Sequence, residues 1–464
     1  MKLRNLKLLL LPATITLNLA LCGSSAAAAP AVGPGESMDV ATGTQITQIE
    51  GFDWGPGVTK TIMALDRTVN ADSVSADKFS VIERKENFDF DGFADVLDKG
   101  PATHTNQETT RQIVSAYTCD SNGNPINESS SYIALELKCS PSEGSPFCYS
   151  VLTSQNSWCR FYQLDVSLND GCTLTETTGA VLKGLSVESS IDWNQSLFPD
   201  LTGIDLTGGY VSSDGDAFTY ASYVPANASE TNKRPLVIWL HGAGEGGTDT
   251  RINLLGNKVS ALTAQEFQSK MGGAYILAPQ IPDFWMTYNQ EGAWSDNPGT
   301  NSVHLYGLKE LIDSYVASNP GIDTNRIIIG GCSNGGYMTM NMIMNFPEYF
   351  AAAFPICEAY LDYGISYDQL IRIKDLPIWF VYASNDTTVD PTAYAEPTIA
   401  RLKTVSNNVH TSVFADVHDT TGLYTNEDGT PYQYAGHWSW LYFFNNQCSD
   451  NGVNMWDWLA VQSK

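Results

Sequence analysis

The segment Arg326–Gly336, RIIIGGCSNGG, constrains the fold more than any other part of the chain. Three consecutive isoleucines predict a strand buried on both faces, and a helix-like stretch, Tyr337 to Asn345, follows G-x-S-x-G at once. A strand that turns straight into a helix needs small residues around the bend, because the backbone there is strained and neighbouring elements come close. The residue at the bend is then held out into a cleft. That makes Ser333 a candidate nucleophile. It also leaves the Asn334 N–H and the positive end of the helix facing the place where an oxyanion would form.

From about Leu201 onward the chain has the same texture as this segment. Strand candidates are Phe218–Val224, Pro235–Leu240, Ala274–Ala278, Arg326–Ile329, Ala351–Ile356 and Pro377–Tyr382. Helix-length segments lie between or after them, notably Leu305–Ser318, Tyr337–Asn345, Pro391–Val405 and Met455–Val461. Continuous apolar strands alternating with helices predict a mostly parallel sheet covered on both faces, with its active site at the carboxyl ends of the strands.

Serine is a weak nucleophile at neutral pH, so Ser333 needs a histidine base, and the histidine needs a carboxylate to fix its tautomer. The loop after the strand Pro377–Tyr382 offers Asp386, with Asp390 as the alternative and as a cap for a helix starting at Pro391. Of six histidines, His104 lies in the first half, and His241 and His304 precede the serine. His410, His418 and His437 remain. His437, in a Gly-preceded loop followed by Trp438-Ser439-Trp440, is the preferred base, ahead of His418. The run His241–Gly247 directly follows a strand and supplies the second oxyanion donor at Ala243, which leaves His241 a structural role. Trp285, Trp294 and Trp438, with Phe284 and Trp440, lie in or beside loops near the strand ends and are candidates to line a substrate pocket. Glu358, after another strand, is a weaker candidate for the cleft. Cys332 reads as a buried small residue rather than a second nucleophile.

The first half reads differently. Between Met38 and Asp192 short strand-like runs, Thr59–Leu65, Phe79–Glu83, Gln112–Ala116, Tyr132–Lys138, Arg160–Val166 and Gly179–Val187, are separated by turn-formers, with hardly any helical periodicity. This predicts a β-sandwich. Asp120, Asn122 and Asn124 imitate the start of a calcium loop, but Gly123 and Pro125 break the pattern, and an Asx-rich turn is the better reading.

Residues 1–29 read as a signal peptide: Lys2, Arg4 and Lys7, an apolar stretch from Leu8 to Leu21, then small residues up to Ala29. The expectation is therefore a secreted protein. A lipobox-like Leu19–Cys22 offers lipid anchoring at Cys22 as the alternative, although Leu21 stands where a small residue is wanted. Export makes disulfides reasonable for the remaining cysteines, five in the first half and three in the second, and their spacing argues against a zinc site. The formal charge is −26, or −29 without the first 29 residues, a surface that repels nucleic acid and anionic lipid. No later segment is long and apolar enough to span a membrane.

The runs Leu236–Gly247, Gly331–Tyr337 and Gly436–Trp440 together resemble the secreted α/β-hydrolase esterases that carry an N-terminal immunoglobulin-like domain. These are relatives of polyhydroxybutyrate depolymerases and feruloyl esterases, within the prolyl-oligopeptidase-like group. The resemblance covers roughly Gly208 to the end, and over Ile62–Val81 it extends faintly to immunoglobulin-like modules. It implies an α/β-hydrolase domain over 201–464 behind a sandwich over 38–192. It further implies hydrolysis of small or polymer-derived carboxylic esters through an acyl-enzyme at Ser333, with Asp386 and His437 completing the triad and no metal or organic cofactor. A serine peptidase and a non-catalytic carbohydrate or cell-wall binder are the competing readings.

Overall fold

The computed structural model describes residues 39–88, 104–150, 153–287 and 301–464. The signal-peptide reading, Cys22 and Trp294 lie outside these residues. From Asp39 to Lys464 the chain is one compact body.

Its amino-terminal part is built from strands β1 (Val40–Phe52), β2 (Gly55–Val69), β3 (Phe79–Phe88), β4 (His104–Arg111), β5 (Ile113–Cys119), β6 (Ser130–Leu137), β7 (Phe147–Ser150), β8 (Gln155–Trp158), β9 (Tyr162–Leu168), β10 (Leu174–Thr175), β11 (Val181–Leu182) and β12 (Gly184–Val187). A five-stranded sheet in the order β12-β1-β2-β6-β5 and a three-stranded sheet β4-β3-β9 make the sandwich, and β7-β8 form a separate hairpin. The long strand β1 is not visible as an apolar run. It buries Ala41, Gln45, Thr47 and Ile49 in alternation. Gln45 is tolerated inside because its amide donates to the carbonyls of Leu164 at 2.7 Å and Glu188 at 2.9 Å. The guanidinium of Arg111 ties the two sheets together, donating to Glu83 at 2.6 Å, to the Val58 carbonyl at 2.9 Å and to the Lys138 carbonyl at 2.8 Å. Asp120 accepts from the N–H groups of Asn122 and Asn124 at 2.8 and 2.9 Å, as an Asx turn should.

The second part is an eight-stranded sheet of β13 (Asp205–Val211), β14 (Ala217–Tyr223), β15 (Arg234–Leu240), β16 (Tyr275–Gln280), β17 (Ile322–Cys332), β18 (Ala352–Ile356), β19 (Ile378–Ala383) and β20 (Val409–Phe414). Its order is β13-β14-β16-β15-β17-β18-β19-β20. β13 and β14 enter antiparallel, and every pairing from β16 to β20 is parallel. Helices α1 (Thr250–Gly256), α2 (Gln265–Met271), α3 (Leu305–Ser318), α4 (Asn334–Asn345), α5 (Tyr367–Arg372), α6 (Ala395–Leu402), α7 (Trp440–Phe444) and α8 (Met455–Ala460) complete it. The central strands β15 to β19 are buried nearly throughout, which is why they read as apolar runs. α6 begins at Ala395 rather than Pro391. Asp390 takes the Thr392 N–H at 3.0 Å and its hydroxyl at 2.7 Å, so the carboxylate closes a turn instead of capping a helix.

The two parts share one apolar cluster that runs from Ile49 and Val58 of the sandwich into Leu254, Leu255 and Val259 beside the sheet. At its edge the Lys258 ammonium reaches Asp53 and the Asn445 side-chain oxygen, each at 2.8 Å, and Asn445 donates back to Asp53 at 2.9 Å.

Candidate active site

Ser333 stands between β17 and α4 with φ 55° and ψ −116°, a conformation that costs a non-glycine residue about 1–3 kcal/mol. Its surroundings hold it there. The Ser333 N–H donates to Ile356 at 2.9 Å, and the Ser333 carbonyl accepts from Tyr337 N–H at 2.9 Å, the first bond of α4. Gly331 and Gly335 have no choice of residue, since a Cβ on either would run into the Leu240 carbonyl oxygen.

The loops after β19 and β20 bring Asp386 and His437 together. His437 Nδ1 and Asp386 Oδ2 are 2.8 Å apart, and the two side chains are only 11% and 1% exposed. The other Asp386 oxygen accepts from the N–H groups of Thr388 at 2.8 Å and Val389 at 2.9 Å, which fixes the carboxylate and leaves one oxygen for the imidazole. Ser333 and His437 line the same cavity of about 690 Å³, and so do Ala243 and Asn334. Asn334 is the first residue of α4, where backbone N–H groups have no intrahelical acceptor. Ala243 opens a short turn immediately after β15, on the opposite side of β17 from the acid loop.

The other candidates have different places. His418 is paired with Asp416 at 2.6 Å, is half-buried and does not line the cavity. His410 is paired with Asp450 at 2.9 Å and stacks on Trp379. His241 is buried beside the Ala243 turn: Nδ1 lies 2.6 Å from the Gly242 carbonyl, Nε2 accepts from Ile281 N–H, and burial pushes its pKa down to about 4. It is a neutral structural residue. Trp285 corrects an expectation, since it is fully buried, stacks with Phe218, packs tilted against His241, and does not line the cavity. Its backbone N–H donates to the Asn334 side chain at 2.7 Å, so it belongs to the packing behind the elbow. Trp438 and Trp440 do line the cavity. Glu358 is buried outside it, with its carboxyl pushed up to about 8 by burial. Cys332 is fully buried and lines the cavity, and burial holds its thiol well above the ordinary range.

Sequence reasoning missed the far wall. Asp53, Trp54, Phe147, Tyr149 and Asn156, all from the sandwich part, line the cavity that contains Ser333. Asn156 donates to Glu245 at 3.2 Å and Trp158 Nε1 to Asp249 at 2.9 Å, in the loop that carries Ala243, and Gln155 donates to the Pro282 carbonyl at 2.9 Å in the loop after β16, so β8 is anchored to both loops. Glu245 is buried there, and burial raises its carboxyl to about 7. No local sequence signal marks a hairpin residue as the neighbour of a loop some ninety positions later in the chain.

Residues 46–182 match the family model of an esterase Ig-like N-terminal domain, and residues 226–423 match that of the phospholipase/carboxylesterase family. His437 lies beyond the end of the second match. Over 143 residues the chain is 29% identical to a poly(3-hydroxybutyrate) depolymerase of Ralstonia pickettii, covering 30% of this chain and 29% of that protein. The chain thus spans about three-tenths of that relative's length. The fold of a thermostable esterase of known structure superposes with a TM-score of 0.68 at 24% identity, over 90% of this chain and 99% of that one. The two share an α/β-hydrolase fold preceded by an all-β region.

Proposed function

Because the chain joins an esterase Ig-like domain to an α/β-hydrolase domain of the phospholipase/carboxylesterase family, we propose that it is an exported serine esterase using Ser333, His437 and Asp386. The observation that carries this reading is the shielded 2.8 Å contact between Asp386 and Nδ1 of His437, which lines the same cavity as the positive-φ Ser333. With Nδ1 engaged by Asp386, Nε2 is the nitrogen left to accept the Ser333 proton as its oxygen attacks the ester carbonyl. The Ala243 and Asn334 N–H groups stabilise the oxyanion. His437 then returns the proton to the leaving alcohol, and the acyl group remains on Ser333 until water, activated by the same imidazole, releases the acid. Asp386 keeps the imidazole in one tautomer and offsets its charge when it is protonated.

An aromatic-rimmed cavity of about 690 Å³ suits an acyl or alcohol group larger than acetate, such as a feruloyl group or a short hydroxyacid oligomer. The test is labelling with an irreversible serine-directed phosphonate, followed by peptide mapping. An adduct on the peptide containing Ser333, with loss of p-nitrophenyl butyrate hydrolysis, supports the reading. An adduct elsewhere, or full activity after labelling, refutes it. Comparing feruloyl, acetyl, butyryl and hydroxybutyrate-oligomer esters with a peptide anilide then fixes the substrate class.

A further inference from the structure

Five of the eight described cysteines lie in the amino-terminal part, and two of these face each other. Cys148 is in β7 and Cys159 directly follows β8. The hairpin register pairs Phe147 with Trp158 and Cys148 with Ser157, and Cys159 N–H donates to the Pro146 carbonyl at 2.9 Å. This brings the two sulfurs to 2.8 Å, with both residues buried. Both are free thiols in the structure.

We propose that Cys148 and Cys159 form a disulfide that fastens the hairpin to its own base and so holds the sandwich-side wall of the catalytic cavity. The Glu86 carboxylate is near enough to make the trio a conceivable metal site. Distance decides against that. Two thiolates about 2.3 Å from a tetrahedral zinc stand roughly 3.8 Å apart, and these sulfurs are an ångström closer. A bridge here has a structural purpose. β7 and β8 are four residues each, too short to hold themselves together in water. Yet Phe147, Tyr149 and Asn156 must stay in place for the cavity to keep its shape.

The chemistry balances with a low-molecular-weight disulfide such as oxidised glutathione as the oxidant. One protein thiolate attacks a glutathione sulfur and releases one glutathione thiolate. The second protein thiolate attacks the mixed disulfide and releases the other. Two protein thiols are oxidised, the reagent is reduced to two thiols, and these take up the two protons. Hydrogen bonding to Cys148 and burial both hold the Cys159 thiol well above its ordinary range.

In the cell the bridge depends on the export proposed above, and the experiment separates the two. Reduced, unfolded full-length protein is refolded with mixed reduced and oxidised glutathione, free thiols are alkylated, and the unreduced digest is mapped. A linked Cys148–Cys159 peptide, two hydrogens lighter than the pair of free peptides, is the expected result. Alkylation of both cysteines, pairing with other partners, or one equivalent of zinc in protein purified without chelator would overturn the proposal. If refolded protein is linked while protein from the producing cells is not, export fails and the pairing stands. The staple is tested by KM. Mild reduction of wild type, and the double variant Cys148→Ala/Cys159→Ala, should raise KM for a long-acyl ester several-fold while kcat on p-nitrophenyl acetate holds. Unchanged KM in reduced wild-type protein would refute the role in the wall.

Discussion

The two sides of the cavity that Ser333 lines are built by different physics. On the hydrolase side, three of the proposed groups sit where a strand ends, Ser333 after β17, Asp386 after β19 and Ala243 after β15, while His437 lies in the long loop after β20. Their positions follow from hydrogen bonding within a few residues and from adjacency in one sheet. On the sandwich side, Trp54, Phe147, Tyr149 and Asn156 come from a turn and a short hairpin, placed by packing across the body. On the proposed mechanism, the first side carries reactivity. The second carries fit, so changes there should move KM before kcat.

The sharpest way to break this comparison is to remove the nucleophile. Ser333→Ala should lower ester hydrolysis by about a million-fold without unfolding the protein, because alanine is small enough for the bend. Purified variant retaining more than roughly a thousandth of the wild-type rate would end the assignment. Asp386→Asn and His437→Ala should each lose at least about a thousand-fold. His418→Ala should stay near wild type, since His418 is paired with Asp416 away from the cavity. The reverse pattern would move the base to His418.

That contrast also explains what could be read from the chain. β15, β17 and β19 and the helix α3 were legible because burial on both faces of a strand, or one face of a helix, leaves a local apolar pattern. The Asp386–His437 contact was legible from its loops, since strand order fixes which loops meet. β1 was not, because Gln45 and Thr47 satisfy their polar groups inside the sandwich and so look like surface residues. Trp285 was misplaced for a related reason: proximity in sequence to the strand ends does not say which face of a loop an aromatic ring takes. The sandwich-side wall had no local signal at all.

A milder test sharpens the comparison from the other side. Tyr149 is 50% exposed and lines the cavity, so Tyr149→Ala should cost little stability. Losing a partly buried ring from a binding wall is worth about 1 kcal/mol, or roughly 5-fold in affinity. We expect KM for an aryl or long-acyl ester to rise about 5-fold, with kcat for p-nitrophenyl acetate unchanged. A fall in kcat with constant KM would place the sandwich in the reaction itself.

A last test, read in stability rather than in turnover, concerns the seam between the two sides. Glu245 is buried behind the Ala243 turn, accepts from Asn156 of the hairpin, and has its carboxyl raised by burial from an ordinary 4.5 to about 7. A folded-state pKa raised above the unfolded value means that folding favours the protonated form. Its stabilisation is therefore complete below pH 4.5 and is lost as pH rises through about 7, with roughly 3 kcal/mol as the upper bound. Glu245→Gln keeps the size and the acceptor for Asn156 but cannot ionise. Melting temperatures of wild type and variant should agree at pH 4.5 and diverge toward pH 8, with the variant the more stable by a few degrees. Parallel curves over that range would mean that Glu245 is already ionised in the folded protein, and that the seam between the hairpin and the Ala243 loop holds a charge rather than a neutral acid.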